Sequence, residues 1–200
     1  MKIRYAYINQ LVLKTYSSLR NIEFPINAVE IVGLIPNCKY ISYQEFAKIN
    51  HCSVEDVINM CGSASGCTNY DVSSSRYLIL CNESFENYNN SGRQRWTCAH
   101  EIGHILCDHH CIAMLDDIEK PDFEAEADYY AATLLSPLPL FKLLNINSPI
   151  DVQNVFGLSS SASLLRYNQY LSWKRDHRKT AWENDIVNLI KYKSGIYSYR

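Results

Sequence analysis

Two hundred residues, 47% hydrophobic and 20% charged, suffice for one ordinary core and leave little for a second. The formal net charge of -2 and a pI near 6.3 exclude an overall basic field for gripping nucleic-acid phosphates, and no run approaches the roughly 18 apolar residues needed to cross a bilayer. A single domain over residues 1–200 is therefore expected, with its core at about 40–173 and a helical cap over 148–200.

Asn9, Gln10 and Lys14 interrupt any apolar stretch long enough for a signal peptide. Eight cysteines without such a leader, and without a C-x-x-C pair, read as reduced thiols of a soluble cytoplasmic protein rather than as disulfides or a structural zinc cage. In chain order, apolar spacing predicts an opening helix over residues 9–20. Ser42 followed by Glu45 has the capping-box pattern, and Ser53 followed by Asp56 is a weaker version, so two short helices are expected there. The Gly, Ser and Asn of residues 62–71 read as a loop before Arg76–Cys81, the best strand in the chain.

Residues 87–92 read as a polar loop and 95–110 as a helix. Pro121 and Asp122 open a further helix that Pro137 and Pro139 close. Ser148-Pro149, Ser159 and Thr180-Ala181-Trp182-Glu183 each mark a helix start, which makes the C-terminal third helical.

The chemistry lies in His100-Glu101-Ile102-Gly103-His104, an H-E-x-x-H pattern that a shuffled chain would contain roughly once in a hundred attempts. Residues four apart share one helix face, so both imidazoles can reach one ion. Zn²⁺ in a catalytic site takes three protein ligands and leaves a fourth position for water, whose pKa falls to about 7. Glu101 is then placed to act as general base. A third ligand is sought in Phe123-Glu124-Ala125-Glu126-Ala127-Asp128, where Glu124 and Glu126 both qualify. Spacing favours Glu124, because Asp128 follows one turn later and can accept the free N–H of a ligating imidazole, whereas Glu126 has Tyr130 at that offset.

These segments, RWTCAHEIGHIL at 95–106, EAEADYYAATLLSP at 124–137 and the later 156–166 stretch, resemble the ImmA/IrrE metallopeptidases over most of residues 40–173. The resemblance implies an α+β, zincin-like fold with a small antiparallel or mixed sheet, a metal-binding active-site helix and a helical C-terminal region. It places Glu124 rather than Glu126 at the ligand position. Cys107 stands where leucine is usual and Tyr130 where phenylalanine is usual. It further implies a zinc endopeptidase acting on a protein partner, a helix-turn-helix transcriptional repressor of a mobile element. The alternative is a non-enzymatic, metal-stabilised module that sequesters a regulator.

Several other features have plainer readings. The two helices of residues 43–60 could imitate a helix-turn-helix, but Lys48 is outnumbered by Glu45, Glu55 and Asp56, so no direct nucleic-acid contact is expected. Cys98, Cys107 and Cys111 read as buried apolar thiols, and the basic run at 174–179 as a solvated turn. His109 and His110 are expected at the helix end, beside its last carbonyls. The strand around Leu78 is either a core strand or a sheet edge that holds an extended substrate.

Overall fold

The computed structural model describes residues 3–85, 91–111, 121–176 and 180–194. In chain order these form α1 (Tyr5–Ser18), α2 (Ala28–Val32), β1 (Cys38–Ser42), α3 (Tyr43–Ile49), α4 (Val54–Cys61), β2 (Gly66–Asp71) and β3 (Arg76–Cys81). A short 3-10 turn (Glu83–Phe85) follows, then α5 (Ser91–Leu106), α6 (Pro121–Leu135), α7 (Leu140–Leu143), α8 (Pro149–Phe156), α9 (Ser160–Asp176) and α10 (Ala181–Ser194). The fold is α+β and zincin-like. Contacts divide the chain into two compact units, Asn27–Ala131 with Met1–Ile3, and Arg4–Ile26 with Ala132–Arg200.

The first unit is built on a three-stranded mixed sheet in the order β1-β3-β2. β3 pairs with β1 in parallel and with β2 antiparallel, so Ile79 faces Tyr40 on one side and Thr68 on the other. This central place explains its nearly continuous apolar run and settles the strand around Leu78 as a core strand. The edges belong to β1 and β2 instead. β1 and β2 escaped the sequence reading because β1 is only five residues long and β2 carries Gly66, Asn69 and Asp71, which strands disfavour; both are held as strands by pairing with β3.

Side chains set the short helices. Ser42 Oγ accepts from the Glu45 N–H at 3.1 Å, while Ser53 and Asp56 form the complete reciprocal box, at 2.9 and 3.1 Å. The pattern read as the weaker of the two is therefore the fuller cap. Tyr43, Ala47 and Val57 are buried with Leu80 of β3, which ties α3 and α4 to the sheet. Helix α5 begins at Ser91, inside a stretch expected to be loop; the rest of that expected loop, at 87–90, lies outside the described residues. Gly66 admits α5 to the sheet at close range: a Cβ there would lie 2.5 Å from the Thr97 methyl.

In the second unit α1, starting earlier than expected, packs with α10. Its buried residues include Ile8, Val12 and Tyr16 from α1, and Ile186 and Ile190 from α10. The Lys193 ammonium donates to the carbonyls of Ser17 and Leu19, both at 2.5 Å, neutralising the carbonyl end of α1. Phe156 stacks on Phe141 and meets Phe24 edge to face, and the buried Arg166 guanidinium donates twice to the Ser136 carbonyl, at 3.0 and 2.8 Å. Ser148 caps α8 with Pro149 in its first turn. Three residues of the basic run, 177–179, lie outside the described residues.

Candidate metal centre

Helix α5 presents His100 and His104 one turn apart, and α6 brings Glu124 to them. The two Nε2 atoms are 3.0 Å apart, and Glu124 Oε2 and Oε1 lie 3.3 Å from His100 Nε2 and 3.5 Å from His104 Nε2. Ligands about 2.0–2.1 Å from a tetrahedral ion are separated by about 3.3 Å, so the three donors already stand at metal-binding spacing. Two imidazoles and a carboxylate form a donor set that fits a divalent metal.

Gly103 makes this approach feasible. A Cβ at this position would lie 3.0 Å from Ala127 Cα, 3.1 Å from Ala127 O and 3.2 Å from Tyr130 Cβ, so α5 and α6 are in backbone contact beside the donors. The helix-propensity cost of about 1 kcal/mol for glycine is offset by that close packing.

Each imidazole is oriented through its other nitrogen. His100 Nδ1 lies 2.9 Å from Asp128 Oδ1, one turn along α6 from Glu124. His104 Nδ1 lies 3.0 Å from His109 Nδ1, and His109 Nε2 lies 3.1 Å from Glu126 Oε2. His109 is thus directed to a histidine and a carboxylate rather than seated at the helix end to meet its carbonyls. Helix α5 stops at Leu106, and Asp108 takes a left-handed conformation (φ 61°) that folds the next residues back beneath His104. Phe123 stacks on the His109 ring, with centroids 4.4 Å apart.

A cavity of about 510 Å³ opens over these groups. Its walls include Ser63, Ser65 and β2 residues 66–68 on one side, and Arg93, Trp96 and Thr97 of α5 on another. Glu101 lies in the cavity, 8% exposed, and Thr68 Oγ1 donates to its Oε2 at 2.6 Å. His110 also lines it, and its buried Nε2 has no hydrogen-bond partner among the described residues. A family model described as the IrrE N-terminal-like domain, a peptidase family, matches residues 68–168, just over half of the chain. The chain belongs to this family.

Membership in the IrrE N-terminal-like family makes this a metallopeptidase-type protein and agrees with a site built from α5 and α6, both inside the matched stretch. No curated protein matches the chain. Electrostatics of the site suit that chemistry. Burial lowers the His104 pKa to about 3, aided by His100, His109 and His110, which leaves a neutral imidazole ready to donate a lone pair. Burial opposes the charged form of His100 too, but the bond to Asp128 and the nearby Glu101 and Glu124 outweigh it and raise its pKa. Burial also raises the Glu101 pKa, against the hydrogen bond from Thr68 and the charge of His100. A carboxylate shifted toward neutrality is a better proton acceptor.

Thr68, His109, His110 and Glu126 are the site residues that sequence reasoning missed or misplaced. The only signal for His109 was its closeness to the motif. On a continuing helix it would stand about 140° around the axis from His104, so the turn at Asp108 had to be known first.

Proposed function

We propose that this protein is a zinc-dependent endopeptidase that hydrolyses a peptide bond in a specific protein substrate, with His100, His104 and Glu124 as ligands and Glu101 as general base. The observation that carries the reading is the 3.0–3.5 Å triangle of donor atoms beside a buried carboxylate in an open cavity. Bound zinc supplies Lewis acidity, which acidifies water and polarises a substrate carbonyl. Glu101, held by Thr68, takes the proton from the attacking water and returns it to the leaving amine. His110 Nε2 donates to the oxygen on which negative charge develops. The outer edge of β2, whose residues 66–68 line the cavity, offers backbone groups to an extended peptide.

The partner that best fits the family resemblance is a helix-turn-helix repressor, cut between its DNA-binding and oligomerising parts. A cytoplasmic setting is supported by eight free cysteines, and no described helix is long and apolar enough to cross a membrane. The test is to incubate the zinc-loaded chain with the repressor encoded beside it and to read fragments by mass spectrometry. One cleavage that depends on Glu101 is expected. A repressor that stays intact, with and without inducer, while another protein is cut would remove the substrate assignment; no hydrolysis of any protein would remove the enzymatic one.

A further inference from the structure

Glu126 is fully buried and His109 is 2% exposed, yet neither reaches the cavity. A carboxylate taken wholly out of water is costly unless it is paired and hydrogen-bonded. Its position in the fold suggests a use. Glu126 Oε2, His109 Nε2, His109 Nδ1 and His104 Nδ1 form one line, with hydrogen-bond steps of 3.1 and 3.0 Å, ending on the ring whose Nε2 belongs to the donor triangle.

We propose that Glu126 and His109 are positioning residues that lock His104 in the tautomer able to bind metal. The inference rests on the reading of His104 Nε2 as a ligand. If that nitrogen gives its lone pair to the ion, the ring's proton sits on Nδ1 and donates to His109 Nδ1. His109 must then hold its own proton on Nε2, where Glu126 accepts it. Every proton along the line is fixed by the carboxylate at its far end.

A rival use of the same residues fails on donor counting. Cys107, His109 and Glu126, all buried, lie close enough to hold a second ion. Metal on His109 Nε2 would move its proton to Nδ1, where it would face the N–H of a metal-bound His104 across 3.0 Å. Two donors cannot share that contact, so an occupied first site excludes the second.

The two ligating histidines thus have unequal support. The Asp128 side chain that holds His100 is 58% exposed, and water can replace it, whereas His109 and Glu126, 2% and 0% exposed, are out of reach of water. His109→Leu keeps the volume beneath Phe123 and breaks the line, whereas the His109→Gln amide can both accept from His104 and donate to Glu126.

In chelator competition with the full chain, His109→Leu is expected to weaken zinc binding about 10- to 100-fold, with His109→Gln recovering most of the loss and Asp128→Asn losing less than His109→Leu. In the zinc-loaded parent, nitrogen NMR is expected to show a proton on His104 Nδ1 and scalar coupling through it to His109 Nδ1. The NMR measurement stands even if a variant does not fold. Zinc bound as tightly by folded His109→Leu as by the parent, a Gln variant no better than Leu, or a His109 protonated on Nδ1 overturns the proposal while the ligand reading stands. A parent chain that takes up no zinc overturns both.

Discussion

Thr68 and Glu101, thirty-three positions apart, meet where β2 faces α5: the threonine hydroxyl donates to Glu101 Oε2 at 2.6 Å. That bond favours the ionised carboxylate, which burial disfavours. Thr68→Val removes the donor and keeps the shape, so the Glu101 pKa rises and the acid limb of kcat/KM moves to higher pH. Well above that limb the rate falls by about tenfold or less, the size of one hydrogen bond. A pH–rate profile of the two proteins checks this, and an unmoved acid limb would mean that Thr68 does not tune the base.

Roles within the donor triangle separate by substitution. Glu101→Gln retains the shape and cannot take a proton, so zinc content is expected to stay near one per chain while kcat falls by about 10²- to 10⁴-fold. Glu124→Ala removes an anionic donor and lowers zinc affinity together with activity. Metal analysis after dialysis against a weak chelator distinguishes the two. Glu101→Gln losing its zinc would place that carboxylate among the ligands.

Gly103→Ala tests the contact between α5 and α6. The added methyl gains about 1 kcal/mol of helix propensity but meets Ala127 backbone at 3.0–3.1 Å, and overpacking of this kind costs about 1–3 kcal/mol. A lower Tm in the metal-free chain is expected, with weaker zinc binding because Glu124 is carried away from the two histidines. A variant as stable as the parent and equal in affinity would show that the helices have room to separate.

His110 carries a buried Nε2 without a partner among the described residues and lines the cavity. His110→Leu is expected to lower kcat by about 10²-fold, the usual cost of one oxyanion donor, with KM and zinc content nearly unchanged. Steady-state kinetics on the cognate substrate measure the split. A change confined to KM would assign His110 to substrate binding instead.

The sequence by itself determined the parts that depend on local periodicity and on residue chemistry. His100 and His104 share a face because they are four residues apart on a helix, Glu124 and Asp128 share another for the same reason, and the caps at Ser42, Ser53 and Ser148 are local hydrogen bonds between neighbours. The apolar run of Arg76–Cys81 marked a strand without its partners being known. Tertiary structure alone decided what depends on distant segments meeting. β1 and β2 exist because β3 pairs with them, and that pairing places Thr68 over Glu101. Helix α1 joins α10 through burial of Ile8, Val12 and Tyr16, which no local pattern specifies. His109 reaches His104 only because Asp108 reverses the chain, and Glu126, two residues from Glu124 and so on a different side of α6, serves the core rather than the cavity. Short-range geometry is written in residue spacing; long-range contact is set by which surfaces can be buried together, and that requires the fold.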